Sequence, residues 1–197
     1  MGGEADGVVG VQAAVAERVT RGVDVIKVMA TGGVITPGCV PHESQYIFEE
    51  LAAATEAARA LGKPITAHAH GPQGIADAVA AGVDGIEHGS FFTEDGIEVD
   101  WRTVDAMAKA GTFVGATEAF LQEGAMVAPH FAERLEQRSA NFARMHREGV
   151  RLVCCSEAGV SPRKPHGVLP RGIIHLGPIG LTNVEALASA TTVAAEV

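Results

Sequence analysis

Four stretches of this chain stop at a glycine and run straight into an apolar segment. They are LGKPITA at 61–67, AAGVDGI at 80–86, KAGTFVG at 109–115 and REGVRLV at 147–153. Glycine is common just past a helix end because it takes left-handed backbone at little cost. A helix that stops there and yields a strand within a few residues has turned back onto the sheet. Repeated along a chain, that joint builds βαβ units around a parallel sheet. Right-handed crossovers then leave two architectures, an open doubly wound sheet or part of a (β/α) barrel.

Periodicity supplies the elements. Val11, Ala14, Val15 and Val19 share a helical face within Val8 to Arg21, and Leu51, Ala52 and Ala53 lie in a second helix from about Ser44 to Leu61. Further helices are expected from Gly71–Pro72 to Ala81, from Trp101 to Ala110, from Pro129 to Glu148, and from Asn183 onward with Thr182 or Asn183 as cap. Between them lie the strands VDVIKVMA (23–30), PITAHA (64–69), DGIEH (84–88), TFVGAT (112–117) and VRLVCC (150–155). The TGGV loop after the first strand lacks the spacing of a dinucleotide loop or a P-loop, which favours the barrel.

The bulk properties narrow the function. A net charge of −9 argues against nucleic acid, whose phosphates need a basic face. No apolar run approaches the ~20 residues of a membrane-spanning helix. The N-terminus does not read as a signal peptide. Three cysteines, two of them the adjacent Cys154 and Cys155, cannot make a disulfide framework and suit a reducing compartment, so a cytoplasmic location is expected. Met107, Phe120 and Met126 read as packing residues before they read as a substrate mouth.

Active sites of parallel α/β folds lie at the carboxyl ends of the strands, and the polar residues of interest fall there. Lys27 interrupts an apolar strand, either snorkelling at a wet edge or serving a site. His68 and His70, two apart, point to one face of their strand. His88 ends the next strand, with Glu87 on the opposite face by simple alternation. Three histidines on two successive strand ends suit a metal or catalytic cluster better than isolated structural roles. Glu157 closes the last strand, as a site carboxylate or an ordinary loop acid.

In this order, and over essentially the whole chain, the strings IKVMATGGV, ITAHAHG, GIEHGS, SEAGVSPRKPHG and LTNVEALASATT resemble the amidohydrolase superfamily. The similar branch contains the imidazolonepropionase-like and Xaa-Pro dipeptidase-like enzymes. The resemblance implies a TIM-like (β/α) barrel with a small β-sandwich, and a two-metal site. That site uses an HxH pair on strand 1, a carboxylated lysine on strand 4, histidines on strands 5 and 6, and an aspartate on strand 8. It places Lys27, His68 and His88 as metal ligands and Glu157 where the family has aspartate, acting as ligand and general base. His70 and His166 would face the substrate.

Strands 1 to 3 and the sandwich have no counterpart here, so the expectation is one partial-barrel domain over 1–197. A closed barrel needs ~250 residues. The outer-metal ligands Lys27, His68 and His88 are all present, so at most one divalent ion is expected, with zinc preferred. The implied reaction is hydrolysis of an amide, peptide or cyclic amide bond by metal-activated water, on a small-molecule or peptide substrate. The rival reading is a non-catalytic barrel fragment, a scaffold or a piece that pairs with another chain to cover open sheet edges. A phosphate-binding barrel half is the weaker third reading, with Arg163 and Lys164 as its two cations.

Overall fold

The computed structural model describes residues 3–121 and 129–197. Contacts divide the chain into two compact units, Met1–Thr112 and Phe113–Val197. The first contains α1 (Gly7–Thr20), β1 (Ile26–Met29), α2 (Phe48–Ala60), β2 (Ile65–Ala69), α3 (Pro72–Ala80), β3 (Gly85–His88) and α4 (Trp101–Ala110). The second contains β4 (Phe113–Ala116), α5 (Pro129–Arg147), β5 (Leu152–Cys154), α6 (Leu169–Leu176), α7 (Asn183–Ser189) and α8 (Thr192–Ala195). Met126 falls outside the described residues.

This is the expected α/β chain of parallel strands. In the first unit β2 pairs with β1 in the register Lys27↔Thr66 and Met29↔His68, and with β3 in the register His68↔Glu87. In the second, β4 pairs with β5 at Val114↔Leu152 and Ala116↔Cys154. Helices cover the strands with the stripes that periodicity marked. Val11 and Val15 of α1 and Leu51, Ala53, Ala54 and Ala58 of α2 are buried, as are Ile65, Ala67 and Ile86 of the strands. The second core gathers Val114, Phe142, Met145, Leu152 and Leu176. Each large aliphatic side chain buried this way contributes about 1.5–3 kcal/mol of transfer free energy.

The glycine joints hold: Gly62, Gly82, Gly111 and Gly149 all take positive φ. Three elements are shorter than the sequence reading by three residues or more, and one is β5, Leu152–Cys154 against 150–155. The first strand is shorter than 23–30, covering only Ile26–Met29. The second helix starts at Phe48 rather than near Ser44, because Ser44 bridges Thr31 and the Gln45 N–H donates to Ala30 O at 2.9 Å. Glu50 stabilises that start by accepting the Ile47 N–H at 3.0 Å, and it also accepts the Gly7 N–H at 2.7 Å. Thr182 caps α7 as expected, accepting the Glu185 N–H while the Glu185 carboxylate accepts the Thr182 N–H.

Candidate metal centre

All five residues of β2 are buried, an unusual place for imidazole. His68 lies within that strand and His70 just past its end, on the same face. His88 ends β3, where strict alternation would send it to the face opposite Glu87. It does not go there. Its backbone is left-handed, with φ 74, a strained state for a non-glycine residue. Its ring stands 4.5 Å from that of His68 and 4.4 Å from that of His70, nearly parallel to the latter. One backbone rotation therefore brings together three rings from two strand ends.

Potential ligand atoms of His68, His70 and His88 all lie within 4.8 Å of one another, and the residues are only 7%, 4% and 4% exposed. Tetrahedral zinc with bonds of about 2.05 Å separates its donors by roughly 3.3 Å, so small ring rotations convert this cluster into a coordination shell. The supporting contacts suit that use. His68 Nε2 lies 3.1 Å from Gly32 O. A carbonyl only accepts, so Nε2 carries a proton, which leaves Nδ1 as the nitrogen that could offer a metal its lone pair. His70 Nδ1 meets Ser90 Oγ at 3.0 Å, and Phe92 stacks on the ring at 5.4 Å. Such outer contacts fix ring orientation and tautomer in metal sites. A donor set of three buried imidazoles fits a borderline metal such as zinc.

The TGGV loop supplies part of this support, a role invisible in its spacing. A Cβ on Gly32 would sit 2.3 Å from Val40 O, so only glycine allows the approach that presents its carbonyl to His68. The His70 N–H donates to Thr31 Oγ1 at 2.9 Å, from the same loop.

Lys27 is placed differently. It is exposed on β1, in register with Thr66, and it lines a pocket with Arg18, Met29, Tyr46, Glu50 and Leu51. Its register with Thr66 puts it on the strand face that His68 shares. Glu87, which alternation put on the face opposite His88, instead shares the face of Thr66 and His68, and its carboxylate lies 3.1 Å from Thr66 Oγ1.

In the second unit, Glu157 follows β5 with φ 48, and its carboxylate accepts from Lys164 Nζ at 3.2 Å. His166 is exposed and its ring lies against Gly159. Arg163 directs its guanidinium at Leu121 O and over the Phe120 ring, while Lys164 is turned to carbonyls and Glu157. Cations so engaged do not form an anion cradle, which weakens the phosphate reading.

Sequence reasoning missed a buried charged pair altogether. Glu118, two residues past β4 and 3% exposed, is ion-paired with Arg138 of α5, whose side chain is 10% exposed. The Arg138 guanidinium also lies over Phe142, and His175 Nδ1 contacts Glu118 O at 2.7 Å. Burial, helped by the Glu118 charge, pushes the Cys154 thiol up to about 11, so this cysteine is inert as expected.

Strand ends carrying clustered imidazoles could hold a metal ion, and the comparisons with known proteins give the family. The chain belongs to the amidohydrolase family, which it matches over residues 4–197. Ochratoxinase of Aspergillus niger is 42% identical over 91 residues, 46% of this chain and 19% of that protein. Among solved structures, a Xaa-Pro dipeptidase with methionine bound in its active site matches with a TM-score of 0.81 and 29% identity, over 98% of this chain and 48% of that one. The A. niger ochratoxinase structure matches with a TM-score of 0.78 and 28% identity, over 95% of this chain and 42% of that one. The fold is thus the expected partial barrel, and the chain spans about half the length of these structures.

Proposed function

We propose that this chain is part of a metal-dependent hydrolase of C–N bonds, acting on dipeptides or related amides. One observation carries the reading: three buried histidines converge at the carboxyl ends of parallel strands in a chain of the amidohydrolase family. The Xaa-Pro dipeptidase relative suggests a peptide substrate.

In this reading His68 and His88 would hold a divalent ion, with Lys27 as a further ligand in the form of a carbamate made from its amine and carbon dioxide. A bound divalent ion, zinc by preference, supplies Lewis acidity to the scissile carbonyl and to water. The chain's own residues do the rest. His70, held by Ser90 and Phe92, orients the carbonyl. Glu157 takes a proton and returns it to the leaving nitrogen, and His166 meets the substrate's charged end. The same reading takes residues 1–197 as a single partial-barrel domain that would act in the cytoplasm on a small molecule or peptide.

Turnover of proline-ending dipeptides and small lactams with zinc and bicarbonate tests this. Metal-dependent hydrolysis lost in Lys27→Ala and His88→Ala is expected, and rates equal to those variants would remove the assignment. Metal analysis after chelation and re-zincation should give at most one ion per chain; two tightly held equivalents would contradict the ligand set.

One observation favours a second reading, a barrel piece that pairs with another chain. Among the described strands β1 pairs only with β2, and Val25 and Met29 are 50% and 40% exposed along it. A monomer by size-exclusion with light scattering, unfolding cooperatively, would count against obligate pairing.

A further inference from the structure

One ammonium group ties together the ends of β4 and β5. Lys164 is only 16% exposed in its side chain, and its Nζ lies 2.9 Å from Thr117 O, 3.3 Å from Ser156 O and 3.2 Å from Glu157 Oε2. A lysine ammonium has three N–H donors, and these three acceptors match them. An exposed ion pair is usually loose, since two long side chains must be held in one geometry. Here two partners are backbone carbonyls, one beyond each strand end. The fold sets the position of the ammonium, and the carboxylate is then drawn to it.

The loop backbone supports the same arrangement. Glu157 is held at φ 48, and the turn that follows is closed by Gly159 N–H to Lys164 O at 2.6 Å and Lys164 N–H to Ser161 O at 2.9 Å. A short, closed loop thus presents residue 157 and residue 164 to each other. Reach decides which acid can use it. Aspartate would withdraw the carboxylate by roughly 1.5 Å, one C–C bond. Starting from 3.2 Å, that takes the contact past the ~4 Å limit of an ion pair.

We propose that Lys164 is a positioning residue for the Glu157 carboxylate, and that the extra methylene of glutamate at 157 is what lets it reach that ammonium. The inference rests on the reading of Glu157 as the proton acceptor, but its test does not need turnover. Side-chain NMR couplings report the rotamers of Glu157 in the full chain. Wild type should show one dominant rotamer and Lys164→Met an average of several. In a Glu157→Asp background, adding Lys164→Met should change nothing at residue 157. Averaged couplings already in wild type, or unchanged ones in Lys164→Met, would overturn the proposal.

If Lys164→Met loses its amide dispersion, the lysine end gives the answer. The Lys164 ammonium resonance of wild type should shift, and its protons exchange several-fold faster, in Glu157→Gln. An unchanged resonance would overturn the proposal equally. A lysine acting only as a strut between Thr117 and Ser156 would move neither signal. Where the chain turns over substrate, Lys164→Met should lower kcat by roughly ten- to a hundredfold with KM unchanged. Undiminished activity in Glu157→Gln would sink the proton-acceptor reading and leave the NMR result standing.

Discussion

Replacing Arg138 by Met should be among the most damaging single changes in the second unit. Glu118 is 3% exposed, so removing the guanidinium leaves a carboxylate with no water to turn to. Truncating one member of a buried pair typically costs about 3–5 kcal/mol, because the surviving charge is stranded rather than because the pair was worth that much. Methionine keeps most of the stem volume, which limits the loss of packing, although the contact over Phe142 goes as well. For a chain of this size that cost lowers the melting temperature by roughly 6–20 °C. Thermal and urea unfolding of Arg138→Met, Glu118→Leu and the double variant make the measurement. The double variant should recover most of the loss, since two apolar groups strand no charge. A single-variant cost under about 1 kcal/mol, or strictly additive losses, would refute the reasoning and place Glu118 in water.

Three further outcomes follow from the same coordinates. With its thiol at about 11 against an ordinary 9.0, Cys154 should react with iodoacetamide at pH 8 roughly 100-fold more slowly than an unperturbed cysteine, read by peptide mass spectrometry; equal labelling of Cys154 and Cys39 would contradict its burial. The Thr182 N–H and hydroxyl hold the Glu185 carboxyl below its usual range, with His146 a minor contributor. A carboxyl lowered in the folded state stabilises fully above its unfolded value and loses that contribution as pH falls through the folded one. The start of α7 should therefore loosen at and below ordinary carboxyl pH, and NMR titration of Thr182→Ala should show Glu185 moving back up. Gly32→Ala would press a methyl group onto Val40 O at 2.3 Å and displace the carbonyl that meets His68. Zinc affinity measured by competition should fall about 10–100-fold, the usual effect of losing an outer contact to a metal-ligating histidine. Unchanged affinity would show that Gly32 does not orient the ring.

The elements and the histidines were legible because they rest on local rules. A helix end at Gly82 or Gly111 needs only the left-handed backbone that glycine allows, and the α2 stripe needs only a repeat of 3.6 residues. The helix α6 was not legible for the complementary reason. LPRGIIHL has Pro170 in its first turn and Gly172 within it, a poor helix on propensity. It forms against a neighbour: a Cβ on Gly172 would lie 2.8 Å from Cys154 Sγ and 2.9 Å from Ala119 Cβ, so the glycine is there for close packing. The Glu118–Arg138 pair was hidden likewise, since a separation of 20 positions carries no spacing that joins a loop acid to one arginine of a polar helix.

His88 shows how the two kinds of information combine. Composition places an imidazole at a strand end, and alternation assigns it the wrong face. Only the left-handed backbone at φ 74 turns it toward His68 and His70. That turn costs free energy of order 1–3 kcal/mol, which surrounding packing must offset. Positive φ alone does not mark a site, since the fully buried Phe91 also takes φ 54. At His88 it matters because of what it turns inward, a ring that meets those of His68 and His70.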